Sequence, residues 1–305
     1  VNVMHIQTLD DSQIAAALNV IRQSFTAHTE LYEARLLHQG NRHTLVAMES
    51  DVMAGVATVY RNTLHPNFLN IVLAVLPEYR RRGIGTKLLQ AIEAQAALLG
   101  DFCGFRMAYF QSPLPVALFL KKHSYDFAHT CRCVEWAAEL IAPEFLSAEC
   151  SGARFLTLAD YMAGQGEKKE LLEFLWRRYS EEHSFNPPRI GSLQAWEAIA
   201  FSDVDLDHSL VMLKNGMLAG ALTSGFAQAN CIEAIWMYVN RTLNFFEDVE
   251  GLRQLFNQYI MRCLRSGVQR IALEVDETDE RLVALADSMK VLKQEDWLVF
   301  FKKIA

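Results

Sequence analysis

The sequence predicts an α/β (α+β) protein made of two tandem domains, each a mixed central β-sheet flanked by helices. Three observations carry that reading. First, "HTLVAMESDVMAGVAT" from His43 and "HSLVMLKNGMLAGALT" from His208 align without a gap, 165 residues apart (208 less 43), and self-similarity at a fixed offset marks a duplicated structural unit. Second, each copy reads as strand, tight turn, strand, and is preceded by a matching opening, "HIQTLDD" or "RFLTLAD", in which an apolar strand leads into a helical region. Third, short apolar strands alternate with helical patterns, as in "LNIVLAVLPEYRRRGIGTKLLQAI" from Leu69 to Ile92. A length of 305 residues with 51% hydrophobic content suits two globular domains with sizeable cores.

Each half is expected to run strand, two helices, hairpin, strand, helix, strand, helix and two final strands. Asp51 and Gly216 occupy the hairpin turns, and Ala54–Gly55 matches Ala219–Gly220. Ile71, Leu73 and Val75 alternate at period two and read as a strand, which Pro77 ends because it has no N–H for a ladder. From Thr86 onward Leu88, Leu89, Ile92, Ala96 and Leu99 recur at helical spacing. Gly100 and Gly267 each end a helix before another strand, "GFRMAYF" or "QRIALEV". The first half closes on "VALFLKKHSYDFAHTCRCVEWAAEL". Proline, glycine and serine in "IAPEFLSAECSGA", Ile141 to Ala153, mark the linker and place the domains at 1–145 and 146–305.

Composition excludes several classes. A net charge of −7 argues against a nucleic-acid partner. No run approaches the roughly 18 apolar residues of a membrane span, and "VNVMHIQTLDDSQ" has neither the basic nor the apolar region of a signal peptide, so a cytoplasmic protein with no membrane partner is expected. The six cysteines have no C-x-x-C spacing and no histidines at zinc spacing, so they read as reduced, packed thiols and no metal is expected. "GMLAG" has the spacing of membrane helix pairs but lies in a hairpin.

The junction from Leu69 to Ile92 carries the chemistry. A helix start offers unpaired N–H groups and a positive dipole end, the glycines at 83 and 85 let an anion approach them, and Arg80, Arg81 and Arg82 add charge. The junction is therefore suited to phosphate. A P-loop is excluded because Lys87 falls too late after Gly85, and a dinucleotide fingerprint because Thr86, Lys87 and Leu88 supply no third glycine. What remains is V-x-P-x-x-R-x-x-G-x-G, met at Val75, Pro77, Arg80, Gly83 and Gly85. This pattern resembles the pyrophosphate loop of the GCN5-related N-acetyltransferases (GNAT), at fold level across the first half. The resemblance implies acetyl-CoA as cosubstrate. It also implies that Arg80, Arg81, Arg82, Gly83, Ile84, Gly85 and Thr86 cradle the pyrophosphate. Leu73, Ala74 and Val75 would lie on a strand that splays from its neighbour and turns main-chain groups to the pantetheine arm.

The second half should not do the same job. At an offset of 165, Leu73 falls on Tyr238 and Val75 on Asn240. Matching Gly100 to Gly267 needs 167, so about two residues are inserted in the loop. There the chain reads "RTLNFFEDVEGL", with no glycine pair and with Glu247, Asp248 and Glu250 at the helix start. At about 6 Å and an effective dielectric near 20, each carboxylate would repel each phosphate charge by roughly 3 kcal/mol before screening. Only the first half is expected to bind CoA, with the second shaping an acceptor pocket, holding a sheet edge or forming an interface.

Acetyl transfer to an amine also needs proton movement. Relatives often place a glutamate on the loop strand, but Val72 and Ala74 are apolar. In the family's F-Y-x-K-x-G-F pattern Phe119, Lys122 and Tyr125 fit, whereas Leu120 stands at the general-acid tyrosine and Ser124 at the glycine. Replacement candidates are His28, Glu30 and Glu33, in a region that in the family lines the acceptor pocket, with Tyr60, His65 and Tyr109 and water. Two functions follow: an N-acetyltransferase acting on a primary amine of a small molecule or peptide, or a non-catalytic acyl-CoA-binding sensor.

Overall fold

The computed structural model describes residues 4–25, 27–37, 42–110, 114–141, 152–164, 167–228 and 230–304. Most of the linker expected at 141–153 lies outside these residues. The chain forms two compact units that do not meet at a single cut: Val1–Ala128 with Asn186–Arg189 and Leu298–Ala305, and His129–Phe185 with Ile190–Trp297.

The first unit contains β1 (Met4–Thr8), α1 (Ile14–Ser24), α2 (Thr29–Leu36), β2 (Arg42–Glu49), β3 (Val52–Arg61), β4 (Phe68–Val75), α3 (Ile84–Gln95), β5 (Gly104–Phe110) and α4 (Leu114–Lys122). Its strands follow the order β1-β2-β3-β4-β5. The first three pairings are antiparallel and β4/β5 is parallel. Leu298–Lys303, the end of the last strand, belongs to this unit, and Lys302 Nζ donates to Glu93 Oε2 on α3 at 2.7 Å. Ile21, Leu88, Leu89 and Ile92 are fully buried where α1 and α3 pack on β3 and β4, each contributing about 1.5–3 kcal/mol of transfer free energy. β4 is apolar on both faces because helices lie against it, so Ile71, Val72 and Ala74 are all buried.

The second unit takes β6 (Asp126–Ala137) from His129 onward, then β7 (Ala153–Thr157), α5 (Leu158–Ala163), α6 (Lys168–Glu182), α7 (Leu193–Ala200), β8 (Leu210–Lys214), β9 (Met217–Gln228), β10 (Cys231–Val239), α8 (Phe245–Arg265), β11 (Arg270–Asp276), α9 (Glu280–Asp287) and the start of β12 (Lys293–Lys303). Its order is β7-β8-β9-β10-β11-β6, again with one parallel pair, β10/β11. Trp136, Leu255, Phe256, Tyr259 and Ile260 centre its core.

The duplication extends to detail. Both hairpins carry a register shift at the same repeat position, after Ala47 in one and after Met212 in the other, where Ala54 and Ala219 are bulged out. Two expectations are corrected. Each half ends in one strand, not two, because Asp126–Ala137 alternates without a turn residue and stays extended for 12 residues. Three helices, not two, separate β7 from β8: Pro187 and Pro188 cannot continue α6, and Ser192 caps a new helix by accepting from Ala195 N–H.

Candidate functional site

The strand-to-helix junction is built around two glycines. Gly55 pairs with Val75 at the end of β4. A Cβ there would come within 2.9 Å of both Ala74 O and Leu88 Cδ1, so a bare backbone lets α3 sit close on the sheet. Leu76 N–H donates to Ala54 O at 3.0 Å, a 3-10 turn spans Pro77–Tyr79, and the chain reaches Gly83 with φ 81, the N-cap of α3. The helix starts at Ile84, two residues before the expected Thr86. Lys87 N–H is the first to bond within it, to Gly83 O at 3.1 Å, so the first-turn N–H groups of Ile84, Gly85 and Thr86 point out of the helix end. Gly83 provides no capping side chain, and the first turn holds no acid. A Cβ on Gly83 would meet nothing within 4 Å, which leaves open space in front of the dipole end.

The three arginines have separate roles. Arg80 is turned back as a clamp, its Nε donating to Val75 O at 3.0 Å and Nη2 to Ser24 O at 3.1 Å. Arg82 pairs with Glu49 at 3.3 Å and lies over the Tyr79 ring. Arg81, exposed and with φ 65, sits in the turn itself.

Upstream, β4 and β5 pair only from Phe68↔Gly104 to Asn70↔Arg106, so the stretch holding Leu73, Ala74 and Val75 diverges from β5. Tyr109, 7% exposed, stands in the divergence. Burial pushes its phenol well up, while a hydrogen bond with the Leu73 backbone acts in the opposite sense. Phe25 and Tyr32 flank it at ring distances of 6.2 and 6.4 Å. Tyr60 is also buried and raised by that burial, with Arg35 and Arg106 opposing the shift.

The other candidates are dispersed. His28 caps α2 at φ 52, stacks on Phe110 at 3.8 Å and lies 3.8 Å from exposed Glu30. Glu33 is taken by Arg22 at 2.6 Å. His65 Nδ1 donates to Asn186 O at 2.7 Å and ties down a loop. Leu120 is fully buried in the core under α4, so its side chain faces no cleft. Ser124 takes φ 64, so this position keeps the left-handed conformation for which the family's glycine is suited. A residue that pattern reading passed over is His123, which hydrogen-bonds Thr86 Oγ1 at 3.2 Å. Its pKa is lowered by burial and by Lys122. Its position directly before the Ser124 turn was the available signal.

At the equivalent junction of the second unit, Gly220 pairs with Val239, and Asn240 N–H donates to Ala219 O at 2.8 Å. Val75 therefore corresponds to Val239, an offset of 164 (239 less 75), not to Asn240. Three residues, not two, are then gained before Gly267. Asn244 caps α8 by accepting from Phe246 N–H. Asp248, its side chain 0% exposed, accepts from Thr242 N–H and Oγ1 at 2.8 Å each and from Arg281 Nε at 2.8 Å. Burial opposes its ionisation, but these donors hold it below the usual carboxylate range. This helix end carries its own anion. Among the described residues no group of three or more His, Cys, Asp or Glu could hold a metal, and no described helix is long and apolar enough to cross a membrane.

Residues 13–108 match the Acetyltransferase (GNAT) family. None of the curated proteins compared with the sequence matches it. Among solved structures, a GCN5-related N-acetyltransferase from Sphaerobacter thermophilus superposes with a TM-score of 0.69 at 16% identity, covering 98% of this chain and 95% of that one. A tandem GNAT protein from the clavulanic acid biosynthesis pathway gives 0.61 at 14% identity, covering 99% and 98%. A GCN5-related N-acetyltransferase from Kribbella flavida gives 0.52 at 12%, covering 98% and 71%. At these identities the likeness is one of fold, and it spans both units. The family match lies on the half that holds the glycine-bearing junction, and the fold of the whole chain is the tandem two-domain fold seen in GCN5-related N-acetyltransferase structures.

Proposed function

We propose that the protein is an N-acetyltransferase that binds acetyl-CoA at the first unit and transfers the acetyl group to a primary amine of a small molecule or peptide. The observation that carries this reading is the uncapped, acid-free N-terminus of α3 behind Gly83, with open space where an anion would sit. The pyrophosphate would be held by the N–H groups of Gly83, Ile84, Gly85 and Thr86 with Arg81. Arg80 and Arg82 act on the loop's shape through Val75 O, Ser24 O and Glu49. Bound acetyl-CoA would supply a thioester carbonyl. The diverging backbone of Leu73–Val75 offers that carbonyl main-chain donors, and the Leu73 backbone is already hydrogen-bonded to Tyr109. The second unit is read as non-binding for CoA because Asp248 and Glu247 stand where the first unit is bare. A cytoplasmic location remains part of the proposal.

Proton handling in this account falls to water and to Tyr109, since Glu33 and His65 are engaged in structural contacts. Thiol leaving needs little help, because a thiol pKa near 8.5 makes the thiolate a fair leaving group. The alternative reading, an acyl-CoA sensor without turnover, draws on the fully buried Leu120 at the family's acid position. Incubating the protein with acetyl-CoA and a panel of amines and peptides, and reading thiol release, separates the two. Release above background with at least one amine supports transfer. A blank across the panel with CoA still bound favours the sensor.

A further inference from the structure

The second unit contains a cleft of about 220 Å³ where β10 and β11 diverge. The two strands pair from Cys231↔Arg270 to Ala234↔Leu273 and then part. β10 also has a register shift between Ala234 and Trp236, an irregularity β4 lacks in its pairing with β3. One wall is aromatic. Tyr179 lies 5.7 Å from Trp236 and 4.1 Å from His183, and Trp196 stacks behind Trp236 at 5.1 Å. His183 Nδ1 donates to Tyr179 O at 2.9 Å, which fixes the ring against that wall.

The opposite wall is acidic, and most of its carboxylates are already engaged. Glu274 accepts from Cys131 Sγ at 2.9 Å, and Asp276 faces His129 at 3.4 Å. Asp279 caps α9 through Arg281 N–H and Leu282 N–H and lies 3.9 Å from Arg241. Glu182 differs. Its Oε1 is shut off from solvent with no hydrogen-bond partner, while Asp279 and the Tyr238 hydroxyl lie against the same carboxyl group. A buried carboxylate is costly to ionise, and a proton on it, or a cation beside the group where it lines the cleft, relieves that cost.

We propose that this cleft binds a small organic ammonium ion, with its charge on Glu182 and Asp279 and its apolar body against Trp236 and Tyr179. An ammonium fits better than a metal ion, because a hard divalent cation needs about six oxygen ligands, whereas an ammonium is satisfied by few acceptors and an aromatic face. The binding site does not depend on the acetyltransferase reading. Only the ligand's role, as acceptor or as effector, rests on it.

Binding should be linked to pH. Burial first, then Asp279, pushes the Glu182 carboxyl well above the usual range, with Tyr238 on β10 and Arg178 on its own helix acting in the opposite sense. Arg241, after β10, faces Asp279. A cation therefore displaces a proton from Glu182, and affinity rises with pH until that carboxyl is ionised.

The test is calorimetry on the full chain, without acetyl-CoA, using phenethylammonium and tetramethylammonium chlorides as probes. One site per chain is expected, with binding heats that differ between phosphate and zwitterionic MOPS buffers because a proton is released. Glu182→Gln, which keeps the shape, should weaken the probes by about tenfold or more, and Trp236→Leu should weaken them while acetyl-CoA affinity stays within about twofold. Circular dichroism establishes that the variants are folded. Folded wild type that binds neither probe at millimolar concentration, or that binds them as tightly after Glu182→Gln, would overturn the proposal. Loss of acetyl-CoA binding in wild type, with the probes still bound, would count against the enzyme reading alone.

Discussion

Replacing Gly83 by glutamate tests the proposed phosphate cradle at its most sensitive point. Gly83 has φ 81, so any side chain adds strain, roughly 1–2 kcal/mol for an L-residue in the left-handed region. No atom lies within 4 Å of a Cβ there, so Gly83→Ala should fold with a modestly lower melting temperature and bind acetyl-CoA within a few-fold of wild type. Gly83→Glu adds a carboxylate in front of the Ile84–Thr86 N–H groups. At about 6 Å and an effective dielectric near 20, one carboxylate and one phosphate charge repel by about 3 kcal/mol before screening. Affinity should fall at least about a hundredfold, or about 2.7 kcal/mol. Gly83→Gln, with the same bulk and no charge, should lose much less, and raising salt should narrow the gap between the two. Titration calorimetry of the three variants reads all of this. A Gly83→Glu variant that binds like Gly83→Gln would refute the electrostatic reasoning.

Three further outcomes follow from the packing. A fragment ending at residue 145 lacks Leu298–Ala305, which belongs to the first unit and supplies the Lys302–Glu93 ion pair and the Phe68–Phe301 and Phe127–Phe300 ring contacts. It should be poorly soluble or largely unfolded by circular dichroism, and a soluble fragment as active as the full chain would contradict this. Leu120→Tyr should not supply a general acid, because Leu120 is 0% exposed. It should instead cost about 1–3 kcal/mol by overpacking, visible in chemical denaturation, whereas an increase in turnover without loss of stability would show that the position reaches the reacting atoms. Glu182 is raised above its usual 4.5 in the folded protein, so the native state holds its proton longer than the unfolded chain and stability falls as pH rises above about 4.5. Glu182→Gln should therefore gain melting temperature relative to wild type as pH rises above about 4.5, until the folded carboxyl is ionised, and a pH-independent difference would discount the buried carboxyl.

Local patterns were legible where neighbours in sequence are neighbours in space. The hairpin repeat from His43 and His208, the glycine-bearing turn after β4 and the apolar stripe of Leu88, Leu89 and Ile92 all depend on contacts within a few residues or one strand pairing. What could not be read depends on distant partners. Spacing places three arginines in the loop but not their directions, which follow from Ser24 O and Glu49. The destination of residues 298–305 is a long-range pairing decision, and the stretch between Gly220 and Val239 is one residue shorter than that between Gly55 and Val75, which shifts the expected Val75 correspondence by one residue. Tyr109 could be named only as a candidate from its residue type, because its hydrogen bond with the Leu73 backbone depends on the divergence of β4 from β5.

The central claim is that one unit of the duplicated fold holds acetyl-CoA and the other does not. Saturation calorimetry of the full chain with acetyl-CoA tests it most directly. The account predicts a stoichiometry near one per chain, abolished by Gly83→Glu and unchanged by substitutions at Asp248 that leave the protein folded. A stoichiometry near two, or one that survives Gly83→Glu, would contradict it.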